Sequence, residues 1–169
     1  KAKIINKNLY VHDNILSVKN IDVFKNDPSK IFEIFLLKNK HQENFEISAT
    51  TIRYIRESLH LINKNFKNNE KNKKLFMQIF LQKDGVSRCL RKMNDYGVLA
   101  TYLKSFSKIV GMMQFDLFHI YTVDEHTLSV LSNTRYMASK DCKINYTFVH
   151  EVFKNLLSPE ILYLGAMFH

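Results

Sequence analysis

Glycine and proline are scarce in this chain, and that scarcity limits the folds it can adopt. The 169 residues include only four glycines and two prolines, while 46% are hydrophobic, among them 13 Phe and 8 Tyr. Sandwiches and barrels of short strands need turn residues far more often. The composition therefore favours helices around a core rich in aromatic side chains.

Apolar residues at helical spacing dominate the chain from residue 26 to residue 110. The first such segment has Asp27 as a candidate N-cap and Pro28 at the first helical position, so a helix is expected over 28–39. The second opens at Ser48 or Thr50. The apolar stripes that follow span 52–62, 75–80, 86–93 and 98–106. We predict a compact helical bundle over 26–110.

Residues 1–25 have a different pattern. Two short runs of β-forming residues, 8–12 and 15–19, are separated by Asp13-Asn14, a candidate turn. A two-stranded piece is marginal in water, so we expect it to pack on another part of the protein.

Beyond Gly111 the pattern again indicates helices. Thr122 and Glu125 have the spacing of a capping box, in which the threonine hydroxyl accepts from the Glu125 amide, so we predict a helix from Val123 to about Met137. Further helices are expected over 146–157 and from Ser158-Pro159 onward. The predicted fold class is mainly α, with a short N-terminal β element.

The net charge of +9 raises the possibility of nucleic-acid binding. Much of the excess lies in the Lys/Asn-rich segment 63–74, which has no Arg and only one aromatic residue, Phe66. Proteins that read nucleic acid usually combine Arg with stacking aromatics or a recognisable module. A solvated segment between helices explains the same composition, and we prefer that interpretation.

Other classes are disfavoured by what the sequence lacks. No apolar run approaches the length of a membrane span, and no secretory signal is visible. Cys89 and Cys142 have no metal-ligand spacing, and Cys89 falls on the apolar side of a predicted helix. We expect a buried free thiol, no membrane association and a cytoplasmic protein.

Four segments, in order along the chain, resemble a known enzyme family. They are DVFKNDPSKIFEIFLL (22–37), ISATTIRYIRESLHLI (47–62), KLFMQIFLQKDGVSRCLRKM (74–93) and NDYGVLATYLKSFSKIVGMMQFDLFHIYTVDEHTL (94–128). They resemble the bifunctional uridylyltransferase/uridylyl-removing enzymes, which modify the PII nitrogen-signalling protein with UMP from UTP. The resemblance implies three regions: the tail of a nucleotidyltransferase region over 1–25, an associated helical bundle over 26–110, and the N-terminal part of an HD phosphohydrolase domain over 111–169.

The HD resemblance implies a metal site. Members of that family hold the metal with a His, a His-Asp pair and a later Asp, and His126 and His169 match the two histidines. The metal would be Mg²⁺ or Mn²⁺, activating a water that releases UMP from uridylyl-tyrosine. Both aspartates would fall beyond residue 169, so we expect a truncated site with no complete catalytic set, weak metal binding and no hydrolysis by this chain alone.

Several residues carry alternative interpretations. His126 lies at the edge of a possible inward stripe, where a core histidine bonded to a carbonyl is the alternative to a ligand. Gln114, Asp116 and His119 either orient the metal ligands and contact substrate or form a polar turn. On the last helix, the small residues Gly165 and Ala166 leave space beside His169.

The arginines at positions 53, 56, 88 and 91 either contact an acidic partner or phosphate, or form an exposed charged face; we prefer the second. Two functions other than the enzyme are also retained. One is a non-enzymatic helical interaction module on the same scaffold. The other, ranked lower, is a nucleic-acid binder that uses the segment 63–74.

Overall fold

The structure is a computed structural model that describes residues 3–40, 45–113 and 121–168. The chain divides into two compact units, Lys1–Tyr102 (unit 1) and Leu103–His169 (unit 2). Helices predominate in both, and a small sheet lies at the start of unit 1. The predicted fold class is confirmed, while the predicted division into three regions stays a prediction.

Unit 1 contains four strands, seven helices and a 3₁₀ turn within its described residues. The strands are β1 (Lys3–Asn6), β2 (Leu9–His12), β3 (Ile15–Val18) and β4 (Glu46–Ile47). The helices are α1 (Asp22–Asn26), α2 (Lys30–Lys40), α3 (Ala49–Glu57), α4 (Lys64–Asn68), α5 (Glu70–Phe80), α6 (Val86–Asp95) and α7 (Val98–Tyr102), with the 3₁₀ turn at Leu59–Leu61. The helices described in unit 2 are α8 (Lys104–Ser107), α9 (Val123–Tyr136), α10 (Lys140–Asn145), α11 (Thr147–Lys154) and α12 (Pro159–Met167).

The two predicted strands are β2 and β3, an antiparallel hairpin in which His12 pairs with Ile15. Asp13 and Asn14 turn the chain with φ of 47° and 61°, the left-handed conformation that such tight hairpins require. Two strands were not predicted: β1 pairs antiparallel with β2, and β4 pairs parallel with β3. Strand β4 has only two residues and pairs with a strand some thirty residues earlier in the chain, so the local sequence gives little indication of it.

Helix α2 begins two residues later than predicted. Asp27 accepts hydrogen bonds from the backbone N–H and the hydroxyl of Ser29, at 3.1 and 2.5 Å. The Asp27 carbonyl also accepts a hydrogen bond from Lys30 N. Together these bonds hold residues 27–30 in a turn, so Pro28 lies before the helix. The deep burial predicted for α2 is confirmed for Ile31, Phe32, Ile34 and Phe35.

Aromatic side chains from four helices form the centre of unit 1. The ring of Phe32 meets Phe66 and Tyr102 edge to face, with centroids 5.3 and 5.0 Å apart, and lies 5.7 Å from Phe76. Phe76 in turn meets Phe80 at 5.3 Å. Such pairs stabilise beyond the burial of their area, so this cluster is expected to dominate the stability of the unit.

Two other predictions are confirmed in unit 1. Ser48 caps α3, where its hydroxyl accepts from Thr51 N at 3.2 Å. All four residues of the α6 stripe (Val86, Cys89, Leu90 and Met93) are buried. Gly97 ends that segment with φ of +82°, and a Cβ there would lie 3.1 Å from Leu59 Cδ1.

The segment 63–74 forms α4 and the first turns of α5 instead of an open loop. Its asparagines explain why: Asn63 Oδ1 accepts from Phe66 N at 3.1 Å, and Asn69 Oδ1 accepts from Lys71 N at 2.9 Å, so each caps a helix. Buried Asn72 donates from Nδ2 to Phe66 O at 3.0 Å. These asparagines therefore have structural roles.

The single helix predicted over 98–106 is two helices, α7 and α8. Leu103 between them is extended, with φ of −101° and ψ of 100°. The break coincides with the boundary between the two units. An interruption of one residue without Gly or Pro gives no signal in the sequence.

In unit 2, α9 packs against α12 and α10 packs against α11. The buried residues of this unit include Leu128, Leu131, Phe153, Tyr163 and Met167. Helix α10 was not predicted; Ser139 caps it by accepting from Cys142 N at 3.1 Å. No helix in the described parts of either unit is long and apolar enough to cross a membrane.

Candidate functional site

The first turn of α9 carries the one predicted metal ligand that lies among the described residues, His126. Helix α9 begins at Val123, as predicted, because Thr122 is extended and its carbonyl accepts the first helical hydrogen bond, from His126 N at 2.9 Å. The predicted capping box is wrong in one respect, since the Thr122 side chain makes no capping hydrogen bond. Asp124 and Glu125 place negative charge at the positive end of the helix.

His126 faces away from the core of unit 2. The buried stripe of α9 passes through Asp124, Leu128 and Leu131, whereas His126 lies about 200° around the helix from Asp124 and is exposed. The alternative of a buried core histidine is therefore wrong. An exposed imidazole near a helix start is accessible to a ligand, and its role as a metal ligand stays a prediction.

Asp124, which the sequence patterns did not single out, is buried in the first turn of α9. Its Oδ1 accepts from Gly111 N at 3.1 Å, and Val123 N donates to Met112 O at 2.8 Å. These two bonds fasten residues 111–112 to the start of α9. The available signal was spacing, because Asp124 precedes Leu128 by four residues and Leu131 by seven.

The other predicted site residues lie outside the described residues. They are Gln114, Asp116, His119 and His169. Within the described ranges, no group of three or more His, Cys, Asp or Glu side chains is arranged to hold a metal ion. Their predicted roles as ligands, orienting groups or substrate contacts stay predictions.

Helix α12, which precedes His169, meets α11 through an aromatic pair and α9 through a cation–π contact. Tyr163 is buried, stacks on Phe153 with centroids 6.1 Å apart, and lies under the guanidinium of Arg135 at 4.8 Å. Burial raises the pKa of Tyr163, and Glu160 adds to that effect while Arg135 opposes it. The two small residues of α12 differ in exposure: Ala166 is buried, while Gly165 is exposed with open space around it.

Two of the four arginines that could contact phosphate lie on the same helix, α3. Arg53 and Arg56 lie on the exposed side of α3, where Arg53 Nε is 3.8 Å from Glu57 and Arg56 donates to Asp95 O at 3.1 Å. The guanidinium of Arg56 also lies 6.0 Å from the Tyr96 ring. For Arg53 and Arg56, the prediction of an exposed charged face is confirmed.

A pocket of about 460 Å³ in unit 1 opens where the starts of α2, α4 and α5 meet. Lys71 Nζ donates to Ser29 Oγ at 2.9 Å and lies 3.5 Å from Asp27. Burial alone raises the pKa of the Asp27 carboxyl, but the Ser29 hydrogen bonds, Lys71 and Lys30 outweigh it, so that pKa lies below its usual value. Asp27 and Lys71, the charged residues that line this pocket, therefore interact with each other and with Ser29.

The two cysteines are free and buried, as predicted for Cys89. Burial raises the pKa of the Cys89 thiol to about 12, and its Sγ lies 3.8 Å from Phe35 O. A thiol in this state is unreactive at neutral pH, so Cys89 is a core residue and not a nucleophile.

Known proteins similar to this chain agree on one family. A sequence model described as the third domain of uridylyltransferase GlnD matches residues 9–102. A bifunctional uridylyltransferase/uridylyl-removing enzyme of Nitrosococcus oceani is 46% identical over 165 residues, covering 98% of this chain and 18% of its own length. The enzyme of the same name from Pseudomonas savastanoi pv. phaseolicola is 40% identical over 168 residues, with 99% and 19% covered.

A solved structure titled "Structure of tRNA-processing enzyme complex 3" shares the fold. It matches with a TM-score of 0.54 at 16% identity, covering 92% of this chain and 40% of that one. This chain spans about a fifth of the length of the curated relatives above. The predicted resemblance is confirmed, and the chain belongs to the GlnD uridylyltransferase family, with residues 9–102 matching its third domain.

Proposed function

We propose that this chain is part of an enzyme that attaches and removes uridylyl groups on the PII protein. The observation that carries the proposal is the 46% identity over 98% of the chain to a relative whose name states both activities. Unit 1 would belong to the helical region associated with uridylyl transfer from UTP, and unit 2 would begin the HD domain that hydrolyses uridylyl-tyrosine to UMP.

Within this proposal, His126 and His169 are ligands of a divalent metal. The support is the exposure of His126 at the start of α9 and the packing of α9 on α12, the helix that leads to His169. Asp124 is a positioning residue, because its bond to Gly111 N fixes the chain before the helix that carries His126. When bound, such a metal polarises phosphoryl oxygens and lowers the pKa of water.

Two imidazoles fit only part of what such a metal needs. Mg²⁺ and Mn²⁺ prefer carboxylate and water oxygens, and buried Asp124 is already bonded to Gly111 N. We therefore propose weak metal binding and no hydrolysis by these 169 residues alone. The two free, buried thiols are consistent with a reducing compartment, and we propose the cytoplasm.

The test is a chimera in which this chain replaces the matching segment of the Nitrosococcus oceani enzyme. Both activities on PII should survive in the chimera. His126→Ala should then lower uridylyl removal on the order of 100-fold or more while leaving uridylyl transfer about unchanged, because only hydrolysis depends on the metal ligand. His12→Ala, an exposed histidine of β2, is the matched control and should change neither activity.

Two results would contradict the ligand role. Removal that is insensitive to His126→Ala would show that the imidazole does not hold the metal. Equal loss of both activities in a folded His126→Ala chimera would give the residue a structural role instead. A chimera inactive in both reactions, although folded, would contradict the assignment of this chain to the enzyme.

Nucleic-acid binding is the weaker candidate. The observation in its favour is that unit 1 carries the whole positive excess, with 19 Lys and Arg against 10 Asp and Glu. Against it, Lys71 is bonded to Ser29, and Lys73 lies 2.7 Å from Glu70. Binding to single-stranded RNA that fell steeply with salt and was abolished by charge reversal of Lys71, Lys73 and Lys74 would favour this function.

A further inference from the structure

The pocket where the starts of α2, α4 and α5 meet is lined mainly by polar side chains. Its volume of about 460 Å³ lies within the range of small-molecule sites in proteins, roughly 300–1,000 Å³. The polar residues that line it are Asp27, Ser29, Asn63, Asn65, Asn69, Lys71 and Asn72. Most of them belong to the Lys/Asn-rich segment 63–74, whose composition the proposed function leaves unexplained. A pocket of this size and lining suits a small polar ligand.

Helix capping uses the side-chain oxygens of two of these asparagines. Asn63 Oδ1 accepts from Phe66 N at 3.1 Å, and Asn69 Oδ1 accepts from Lys71 N at 2.9 Å. Because each cap fixes the carboxamide oxygen, the Nδ2 group of each asparagine is left as a donor. Among the residues that the structure describes, none accepts a hydrogen bond from either Nδ2 group. The two capping residues therefore bring unused donors to the pocket.

The acceptors of Asp27 and Ser29 are already occupied. Asp27 Oδ1 accepts from the backbone N–H and the hydroxyl of Ser29, and Asp27 Oδ2 lies 3.5 Å from Lys71 Nζ. Ser29 Oγ accepts from the same Nζ at 2.9 Å. An ammonium group has three N–H bonds, so these two contacts leave one of them for a ligand. The groups that remain free at these residues are donors, which select a ligand rich in acceptors.

The local charge favours a ligand that is also an anion. The segment 63–74 contains five Lys and one acidic residue, Glu70. The carboxylate of Asp27 is balanced by Lys71 Nζ at 3.5 Å and Lys30 Nζ at 3.9 Å. The pocket thus lies in a region of net positive charge, where an oxyanion gains electrostatic attraction as well as hydrogen bonds.

We propose that this pocket binds a small oxyanion, the phosphate or carboxylate group of a small molecule. The Nδ2 groups of Asn63 and Asn69 and the Nζ group of Lys71 donate hydrogen bonds to its oxygens. Because the three residues lie at the starts of α4 and α5, binding also stabilises unit 1. The inference does not depend on the proposed enzymatic function.

The test is a titration of the 169-residue chain with inorganic phosphate at constant ionic strength. Calorimetry measures the dissociation constant, and NMR spectra follow the side-chain amide signals of the asparagines. The expected result is saturable binding that shifts the amide signals of Asn63 and Asn69. A parallel titration with acetate shows which of the two groups, phosphate or carboxylate, the pocket prefers.

Asn69→Asp separates capping from binding. Aspartate keeps an oxygen for the cap but replaces the Nδ2 donor with a negatively charged oxygen. The dissociation constant for phosphate should therefore rise at least about tenfold, while circular dichroism and urea unfolding show a fold as stable as that of the parent chain. Lys71→Gln, which removes the ammonium group, should weaken phosphate binding as well.

Asn68→Asp is the matched control. Asn68 is an exposed asparagine of the same segment that does not line the pocket, so its variant adds the same charge without removing a donor. Its dissociation constant for phosphate should change by less than about threefold, because exposed charges interact weakly through water.

Three results would overturn the proposal. The absence of saturable binding of both phosphate and acetate would show that the pocket holds only water. Equal weakening by Asn69→Asp and Asn68→Asp would show attraction to the net charge of the segment and no defined site. Binding of single-stranded RNA without binding of inorganic phosphate would favour the nucleic-acid function instead.

Discussion

Unit 1 and unit 2 divide the charge and the apolar surface of the chain unequally. Unit 1 carries all of the net positive charge, whereas unit 2 is neutral. Among the described residues, unit 1 exposes only four large apolar side chains and unit 2 exposes fifteen. Unit 1 buries an aromatic cluster from four helices, while the part of unit 2 that the structure describes has a stacked pair, Phe153 with Tyr163. The comparison shows that unit 1 buries most of its large apolar side chains, whereas unit 2 leaves many of its own exposed.

The largest expected effect tests this difference in packing. Phe32→Ala should cost about 3–5 kcal/mol of stability in unit 1, because Phe32 is fully buried and meets three other rings. Phe148→Ala, the same change at an exposed position of unit 2, should cost less than about 0.5 kcal/mol. Urea unfolding followed by circular dichroism measures both. Similar costs at the two positions would remove the contrast between the units.

The next effect concerns the start of α9. Asp124→Ala should destabilise unit 2 by about 1–3 kcal/mol, because it leaves the N–H of Gly111 without its partner. Hydrogen exchange should quicken at Gly111 and in the first turn of α9. Asp141→Ala, an exposed aspartate in the first turn of α10, serves as the control. Unchanged exchange at Gly111 in Asp124→Ala would show that the bond contributes nothing.

Thiol labelling compares how readily the two units open. Cys89 and Cys142 are similarly buried, one in each unit, so their reaction with a thiol reagent reports local opening. Cys142 should react about tenfold faster or more, because unit 2 has the smaller core; tenfold corresponds to about 1.4 kcal/mol in opening free energy. Peptide mass spectrometry resolves the two sites. Faster labelling of Cys89 would reverse the proposed order of stability.

The smallest effects come from the helix caps. Ser48→Ala in unit 1 and Ser139→Ala in unit 2 should each cost about 1 kcal/mol, because each hydroxyl accepts from a helical N–H. Thr122→Ala should cost less than either, since that side chain makes no capping bond. Unfolding curves of the three variants test this. If Thr122→Ala cost as much stability as Ser139→Ala, the Thr122 hydroxyl would cap α9 as the sequence predicted.

Local patterns predicted much of the fold. The cap at Ser48, the start of α12 at Pro159 and the stripe of α6 are all where the spacing placed them, because each pattern involves residues within a few positions of one another; the Ser158 side chain, however, makes no capping bond. The family resemblance that was based on four sequence segments was also confirmed. The candidate site was predictable only in part: the start of α9 is confirmed, and the ligand roles of His126 and His169 stay predictions.

The sequence by itself determined the helical class, several helix starts (among them those of α3, α6, α9 and α12) and the family. Only the tertiary structure decided which side of α9 faces inward. Its apolar residues allow a stripe through Val123 and Val130 or one through Leu128 and Leu131; the second is buried, so Asp124 faces the core and His126 faces solvent. The tertiary structure also decided that β4 pairs with β3 and that the helix predicted over 98–106 is interrupted at Leu103. Periodicity fixes the angle between residues on one helix, but burial depends on which neighbour packs there, and that neighbour is distant in sequence.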